Sequence, residues 1–484
     1  MNINNINVEK AIKEAKELIK KEKVSPALKV SLDVIFLLIQ ILINRLGLNS
    51  RNSSKAPSQD QNRPKKKKES NGRKPGGQKG HPGKTLERVE NPDEIREIRV
   101  DRSTLPKGEY KHAGFESRQV FDLDISVRVT EYRAEVLEDK QGRKFKAPFP
   151  KGVDANLQYG NNVKAHIVYL SQYQLLPFER IREYLTDQIK LPISTGSIAN
   201  FNQEAYEKLK GFDSKSKEEL IQSKVVHADE TGININGKKY WLHDNSNPNW
   251  TYLYPHQKRG KEAMDEMGVL PEYRGVLVHD HWKPYYRYPD IIHALCNAHH
   301  LRELEGVWEQ DKKKWAKDMQ ELLLDIKKDL EEKGIFTKAQ EAEWRNKYLE
   351  LIKRAEKESP PPQEEIERRK RKKEKGMKIK RGRIKKSKDR NLLERLKNYQ
   401  DDVLRFTTRK DIPFTNNLGE RDLRMMKVHQ KISGCFRSLE GAKALCRIRS
   451  YISSAKKQGI RASYALRSLF EGEDVFEGGV PPSE

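Results

Sequence analysis

Cysteine is scarce in this chain of 484 residues, which has three: Cys296, Cys435 and Cys446. Three cysteines cannot build a disulfide framework, and so few suit a reducing cytosol. A secretory signal peptide is also lacking, and the apolar run from Val34 to Ile43 is shorter than a membrane span requires. We therefore expect a cytoplasmic protein with no membrane partner, in which this run is a helix buried against a partner.

Acidic residues are outnumbered, because 71 Asp or Glu stand against 96 Lys or Arg, for a formal net charge of +25. Nucleic acid is the leading partner for such a chain, since each Lys or Arg placed on a phosphate releases counterions. A merely soluble basic protein is the alternative. Hydrophobic residues make up 35% of the sequence, enough for real cores, and the length favours three or four domains.

The first third of the chain changes character twice. Residues 1–50 carry apolar residues at helical spacing and predict helices that could self-associate. Residues 51–94 form a basic arm with too few apolar side chains for a core, and its candidate DNA contacts are Arg73 and Lys74. A solvated linker fits this composition equally well. Residues 95–155 alternate as strands do and predict a small β-rich module.

The middle of the chain predicts a helical region followed by a sheet. Within residues 156–215, a helix over Phe178–Gln188, a break at Pro192 and a capping Ser194 outline a helix-turn-helix. Structural helix pairs share that outline. Residues 216–302 predict the first part of an α/β core, with three hairpin-like strands, a connection and a fourth strand.

The last third is mostly helical. Residues 303–410 predict a charged helical insertion, whose stretch from Arg368 to Arg390 holds 15 Lys or Arg and two Asp or Glu. Residues 411–470 predict helices that return to the core, and residues 471–484 predict a disordered tail. The whole is expected to be a multidomain α+β protein.

Three acidic residues stand where folding alone does not explain them. Asp229 and Asp280 end the first and fourth predicted strands, and Glu420 opens a basic helix. If those strands are adjacent, the two aspartates are neighbours. Each acid also has a structural explanation, as a turn residue, a cap or a first-turn acid favoured by the helix dipole. Glu230 is a weaker candidate, because side chains alternate along a strand and it points away from Asp229.

Converging carboxylates are ligands for hard divalent cations. Two Mg²⁺ or Mn²⁺ ions roughly 3.5–4 Å apart activate an oxygen nucleophile and stabilise the departing oxygen in phosphodiester chemistry. We predict that Asp229, Asp280 and Glu420 are both the metal ligands and the catalytic residues. The candidate DNA contacts on the helix of Glu420 are Arg421, Arg424 and Lys427. A solvated basic helix is the alternative for that face.

Five segments resemble the insertion sequence 66 family of bacterial transposases. They are Asn49–Lys55, His227–Gly232, Val278–Tyr285, Cys296–Leu304 and Asn416–Ser438. The resemblance implies an Asp-Asp-Glu transposase with a ribonuclease-H-like core split by an insertion, and its catalytic acids correspond to Asp229, Asp280 and Glu420. It also implies two smaller accessory proteins of the same element. Because synapsis holds two DNA ends together, we expect a homo-oligomer at the nucleoid.

Zinc is not expected, although relatives commonly carry a zinc-binding module with Cys-x-x-Cys pairs. This chain has no cysteine before Cys296, so residues 95–155 are predicted to be a zinc-free remnant. Cys296-x-x-His299 resembles a pair in related transposase groups, but two ligands do not make a tetrahedral site. We favour a packing role for this pair. In the alternative, a zinc site, Cys435 or Cys446 would be an additional ligand.

The sequence therefore predicts a transposase that cuts DNA at element ends and joins those ends to target DNA. Two other functions stay open. One is a nuclease on the same fold that cuts without joining, and the other is a catalytically inactive DNA-binding relative.

Overall fold

The computed structural model describes residues 2–3, 6–22, 24–46, 48–53, 60, 86–363, 367–368, 371, 374 and 384–477. The chain divides into two compact units. The smaller contains residues 65–149 and 184–192, and the larger contains 1–64, 150–183 and 193–484. The fold is mixed α+β, with 53% helix. Most of the predicted basic arm, including Arg73 and Lys74, lies outside the described residues.

The N-terminal residues form a two-stranded turn followed by two helices. These elements are β1 (Asn2–Ile3), β2 (Ile6–Asn7), α1 (Val8–Lys21) and α2 (Pro26–Leu46). The strands β1 and β2 pair antiparallel.

Helix α2 is more extensively apolar than the sequence suggested. Within the described residues, its segment Pro26–Ile43, which is longer than the run Val34 to Ile43, is long and apolar enough to cross a membrane by length and composition alone. One such helix near the N-terminus is a weak sign of a span. Its apolar side chains face solvent, with Val30 exposed by 64% and Leu37 by 60%.

The smaller unit has little of the β-rich module predicted for residues 95–155. Its strands, β3 (Val136–Glu138) and β4 (Lys144–Lys146), form one antiparallel hairpin. No side chain in residues 86–149 is buried. The apolar residues whose alternation suggested strands, such as Val129, are exposed, because none of the described residues of this unit forms a second layer over them. A lone hairpin gains little stability without such a layer.

A group of helices precedes the central sheet. They are α3 (Asn161–Val168), a π-helical turn (Tyr169–Tyr173), α4 (Phe178–Gln188), α5 (Thr195–Lys208) and α6 (Lys210–Ile221). The bounds of α4 are those that the sequence predicted. Ser194 caps α5 as predicted, since its side chain accepts the N–H of Ser197 at 3.0 Å.

The centre of the larger unit is a five-stranded mixed sheet in the order β7-β6-β5-β8-β9. Its strands are β5 (Val225–Ile235), β6 (Lys238–Ser246), β7 (Thr251–His256), β8 (Val276–His279) and β9 (Ile292–Leu295). The first three are antiparallel, whereas β8 is parallel to β5 and β9 to β8. Helix α7 (Lys261–Met267) lies between β7 and β8. The first and fourth strands are adjacent, which is the condition under which the two aspartates are neighbours.

Strand β5 is longer than predicted. The sequence suggested that it ends at Asp229, but it continues to Ile235 because its second half pairs with β6. Its pairing with β8 stops where His227 faces Val278. Asp229 therefore lies just past the end of the parallel pairing, within a strand that runs on.

The helices predicted between the two parts of the core are present. They are α8 (Asn297–Asp311), α9 (Lys314–Lys333), α10 (Lys338–Glu358), α11 (Lys388–Asn398) and α12 (Gln400–Val403). Their apolar side chains, among them Trp315, Tyr348 and Leu393, share one core with Val278 and Leu295 of the sheet. The insertion is therefore packed onto β8 and β9. Most of its basic stretch lies outside the described residues.

Three helices complete the larger unit: α13 (Asn417–Ser433), α14 (Leu439–Lys457) and α15 (Ala462–Glu471). Leu423 of α13 and Leu445 of α14 pack on Ile233, Leu242 and Leu253 of β5, β6 and β7. The sheet thus has α13 and α14 against its antiparallel half and the insertion against its parallel half.

The tail is ordered further than predicted. Val475 is buried, and the ring of Phe476 lies 4.8 Å from that of Trp250 and 5.8 Å from that of Phe212. Residues 478–484 lie outside the described part.

The turn that follows α2 docks on α8. Asn52 is buried, and its amide donates a hydrogen bond to the Glu309 carboxylate. A Cβ atom at position 306 would clash with the carbonyl oxygen of Asn52, so only Gly306 permits this approach.

Candidate active site

Asp229 on β5 and Asp280, which directly follows β8, lie at the same end of two adjacent parallel strands. His227 faces Val278 in the register of β5 and β8, and each aspartate lies two residues further along its strand direction. One oxygen of Asp229 accepts the N–H of Glu230 at 2.9 Å, and one of Asp280 accepts the N–H of Trp282 at 2.9 Å. These bonds fix each carboxyl group at the edge where the parallel pairing ends.

Glu420 reaches the same region because Asn416 docks the start of α13 on β5. The Asn416 amide donates to the Ala228 carbonyl at 2.8 Å. Its oxygen can only accept, so the Nδ1–H of His227 donates to it at 2.7 Å. The Asn416 side chain therefore bonds to the two residues that precede Asp229. Glu420 follows one turn later, and its N–H donates to the Asn416 carbonyl at 3.2 Å.

The three acids influence one another electrostatically. The pKa of Asp229 lies well above its ordinary value, because burial disfavours the charged form and the carboxylates of Glu230, Asp280 and Glu420 repel its charge. Burial also raises the pKa of Asp280, against the Trp282 N–H and nearby arginines. Burial therefore disfavours the ionised form of both aspartates, and like charges add to this at Asp229.

Glu230 has partners of its own. Its side chain is 1% exposed and accepts bonds from Arg259 Nε at 2.9 Å and from the Tyr285 hydroxyl at 2.6 Å. Arg259 lies between two rings, 4.7 Å from that of Trp241 and 4.3 Å from that of Trp282. Burial and then Asp280 raise the pKa of Glu230, while Arg259 and Tyr285 lower it. Arg259 and Tyr285 therefore fix the Glu230 side chain near Asp280.

A buried acid on β6 faces α13 behind the site. Asp244 is paired in register with Asp229, so the two side chains share a face of the sheet. Burial and then Asp422 raise the pKa of Asp244, while Lys457 lowers it. Lys457 Nζ donates to Asp422 of α13 at 2.6 Å. A Cβ at Gly419 would lie 3.3 Å from Asp244, so the first turn of α13 sits tightly on this strand.

Glu420 also has neighbours on α8. Its Oε1 lies 3.9 Å from His299 Nδ1 and 3.8 Å from Arg302 Nη2. Cys296, His299 and Glu420 can each offer a ligand atom such that all lie within 4.8 Å of one another. In the described part of the chain, the set of Asp229, Asp280 and Glu420 is not as tight.

The donor chemistry of the acids nevertheless fits hard cations. Two ions about 3.5–4 Å apart take ligands from different sides, so three carboxylates need not surround one point. Among the described residues, no basic side chain forms an ion pair with Asp229 or Asp280. Divalent cations would supply the charge that their raised pKa values show to be lacking.

Comparison with known proteins now identifies the family. A family model described as "Transposase IS66 family" matches residues 156–444, more than half of the chain. The chain belongs to the Transposase IS66 family. A second model, described as a family of unknown function (DUF6444), matches residues 3–87. No curated protein matches the chain. The resemblance found in the sequence is confirmed, and a transposase family implies DNA binding.

The predicted DNA contacts of this transposase have different surroundings. Arg421 and Arg424 are exposed on α13, as a backbone-binding face requires. Lys427 is instead partly buried, and its Nζ donates to the Gly232 carbonyl of β5 at 2.8 Å. Burial and then the charge of Lys239 lower the pKa of Lys427. Its ammonium group therefore holds the helix to the sheet.

Sequence reasoning assigned no role to three residues that shape the site: Asn416, Asp244 and Arg302. A signal existed for Asp244, because the polar run at positions 243–247 follows the apolar Trp241-Leu242, and all five of its residues are buried. Asn416 is at the N-cap of α13, where its side chain makes no capping bond. No signal in the sequence showed that its side chain bonds to β5.

Proposed function

We propose that this member of the Transposase IS66 family is a metal-dependent Asp-Asp-Glu transposase. It cleaves DNA at the ends of its element and joins the freed ends to target DNA. One observation carries the proposal: Asp229 and Asp280 each lie two residues beyond the last parallel pair of β5 and β8, with Glu420 near enough that its charge raises the pKa of Asp229. Family membership supports the transposase function.

A ribonuclease-H-like core is part of this proposal. The supporting feature is the mixed sheet, in which three antiparallel strands are extended by two parallel ones, with Asp229 inside the first strand and Asp280 directly after the fourth. The helical insertion lies between β9 and α13, and therefore between Asp280 and Glu420 in the sequence. A core split in this way is what the family resemblance implies.

Asp229, Asp280 and Glu420 would hold two Mg²⁺ or Mn²⁺ ions. When bound, such ions polarise the scissile phosphate and lower the pKa of an attacking water or 3′-hydroxyl. The protein's own residues orient the site: Asn416 docks Glu420 against the strand of Asp229. The exposed Arg421 and Arg424 would bind the DNA backbone beside it.

Other parts of the chain would recognise DNA and hold its ends together. Helices α4 and α5, with the capped start at Ser194, would recognise element ends as a helix-turn-helix, and the basic arm would follow the DNA backbone. A homo-oligomer would hold two ends, together with accessory proteins of the same element. A protein acting in this way would work at the nucleoid.

A strand-transfer assay tests the proposal. The purified full chain is incubated with Mg²⁺, labelled DNA carrying the inverted repeats that flank the gene, and a supercoiled target. We expect nicked ends and joined products, lost in EDTA and in Asp229→Asn or Asp280→Asn, while both variants still bind DNA. The matched control, Asn417→Ala at an exposed position, should keep activity.

The assay also separates the competing functions. Cleavage without any joined product would identify a nuclease. A wild-type chain as silent as Asp229→Asn, with DNA binding intact in both, would identify an inactive DNA-binding relative.

A further inference from the structure

Glu420 lies beside a cysteine and a histidine, and its charge also acts on Asp229. Cys296 is the N-cap of α8, His299 lies in its first turn, and Glu420 lies in the first turn of α13. A ligand atom from each lies within 4.8 Å of the other two, and His299 Nδ1 is 3.9 Å from Glu420 Oε1. Two helix starts thus place three different ligand types around one point.

The two helix starts are tied together by bonds that use neither His299 nor Glu420. The N–H of Asn297 donates to the Phe414 carbonyl at 3.0 Å. The N–H of Asn416 donates to Cys296 Sγ at 3.1 Å. The two helix starts are therefore held together independently of the His299 and Glu420 side chains.

One atom of this group has no partner. His299 Nδ1 is buried and makes no hydrogen bond within the described part of the chain. Buried polar atoms are nearly always bonded, and 3.9 Å to Glu420 is too long for a hydrogen bond. A cation between the imidazole and the carboxylate would satisfy both groups.

The donor types select the cation. Thiolate and imidazole ligands suit Zn²⁺ and chemically similar ions, whereas Mg²⁺ prefers oxygen. Tetrahedral Zn²⁺ with bonds of about 2.0–2.3 Å holds its ligands about 3.3–3.8 Å apart, so a contraction of about 1 Å completes three positions and leaves the fourth open. We propose that Cys296, His299 and Glu420 bind a thiophilic divalent cation of the Zn²⁺ type, whose binding withdraws Glu420 from Asp229 and Asp280.

Arg302 defines the cation-free state. Its Nη2 lies 3.8 Å from the same Glu420 oxygen that faces His299. A guanidinium and a dication cannot share that oxygen at close range, so the cation displaces Arg302. The Arg302 side chain is 25% exposed and its Nε has no partner in the described part of the chain, which leaves it free to turn outward.

Cobalt tests the binding site without any need for activity. Co²⁺ is titrated into the full-length protein, and its visible spectrum is recorded. We expect one equivalent per chain, with a thiolate-to-cobalt band that is lost in Cys296→Ser and kept in the matched control Cys435→Ser. His299→Gln should weaken Co²⁺ binding at least tenfold, because changes even outside the ligand shell cost 10–100-fold.

Circular dichroism of each variant verifies folding, and His299→Gln serves if Cys296→Ser does not fold. A wild-type spectrum without a thiolate band would overturn the site. So would a band that persists in Cys296→Ser.

Withdrawal of Glu420 rests on the proposed function and needs its own measurement. Mn²⁺ bound by the wild-type chain is followed by electron paramagnetic resonance while one equivalent of Zn²⁺ is added. We expect release of Mn²⁺ from wild type and from Cys435→Ser, but not from Cys296→Ser. Unchanged Mn²⁺ occupancy would overturn the withdrawal and leave the cobalt result standing. Failure to bind Mn²⁺ before zinc is added would instead count against the proposed catalytic site.

Discussion

Asp229 carries a charge that the folded protein disfavours. Burial and three neighbouring carboxylates raise its pKa, so the folded chain binds this proton more tightly than the unfolded chain does. The free energy of unfolding of the metal-free protein therefore falls as the pH rises from about 4, the unfolded value, through the raised pKa. Below both values the repulsion is absent.

Removing this charge should stabilise the metal-free protein at neutral pH. We expect Asp229→Asn to raise the melting temperature in EDTA at pH 7.5 by about 2–4 °C, the shift that roughly 1 kcal/mol produces. Added Mg²⁺ should stabilise wild type and not the variant. Differential scanning calorimetry at pH 4 and pH 7.5 measures both effects. A variant less stable than wild type at pH 7.5 would contradict the assignment of a disfavoured charge.

The role of the Asn416 side chain can be tested by substituting Asn416 and its exposed neighbour Asn417 separately. Asn416→Ala removes the bonds to His227 and Ala228, so we expect a loss of about 1–3 kcal/mol in unfolding free energy. Cleavage should fall at least tenfold below the decrease explained by unfolded protein, because Glu420 is no longer docked. Asn417→Ala, at the exposed adjacent position, is the control for both measurements. Equal activity per folded molecule in the two variants would rule out a positioning role for Asn416.

The apolar runs before Asp229 and Asp280 are visible in the sequence, whereas the contacts around the three acids are not. Asp229 and Asp280 each follow an apolar run, and this pattern is local. Cys296 and Glu420 are far apart in sequence, and they meet only because Asn297 and Asn416 tie two helix starts together. The sequence indicated two ligands, Cys296 and His299, because nothing in it placed Glu420 beside them.

Helix α13 presents two kinds of basic residue, and they should respond differently to substitution. Arg421 and Arg424 are exposed, so the double change to Gln should lower DNA affinity and reduce the slope of log K against log salt by about two. Fluorescence anisotropy at several salt concentrations measures that slope. The charge-matched control is the double change of Lys353 and Lys357 to Gln, at exposed positions of α10.

Lys427→Gln should act on stability instead. Its bond to Gly232 joins α13 to β5, so we expect a loss of about 1–3 kcal/mol in unfolding free energy with an almost unchanged salt slope. Chemical denaturation provides the first value. A slope that falls by one unit in this variant would restore Lys427 to the DNA-binding face.

The bounds of helices and strands were predicted correctly where the sequence carries a local signal. Phe178–Gln188 has a proline break after it and Ser194 beyond, so the bounds of α4 and the cap of α5 were predictable. Strand β5 was predicted too short because Thr231 and Gly232 carry no strand pattern. They are strand residues only because Leu242 and Trp241 of β6 pair with them, and such a partner is not visible in a single segment.

The whole molecule exposes an apolar helix that a lone chain would not keep in water. Side chains of α2 such as Val30 and Leu37 are at least 60% exposed. We expect the full chain to be oligomeric in light scattering, and removal of residues 1–46 to give monomers that still bind DNA. The control deletes residues 1–21, which leaves α2 in place. A monomeric full chain would contradict association through α2. Flotation of the full chain with lipid vesicles would instead indicate that α2 contacts a membrane.

The contact between Asn52 and Gly306 joins the two parts of the chain that match separate family models. Exchange of the N-terminal segment between relatives is therefore conditional on what occupies position 306. A recipient with any side chain there would reject the incoming turn, while a recipient with glycine would accept it. Acceptance of a foreign N-terminal segment should thus depend on whether position 306 of α8 has a Cβ atom.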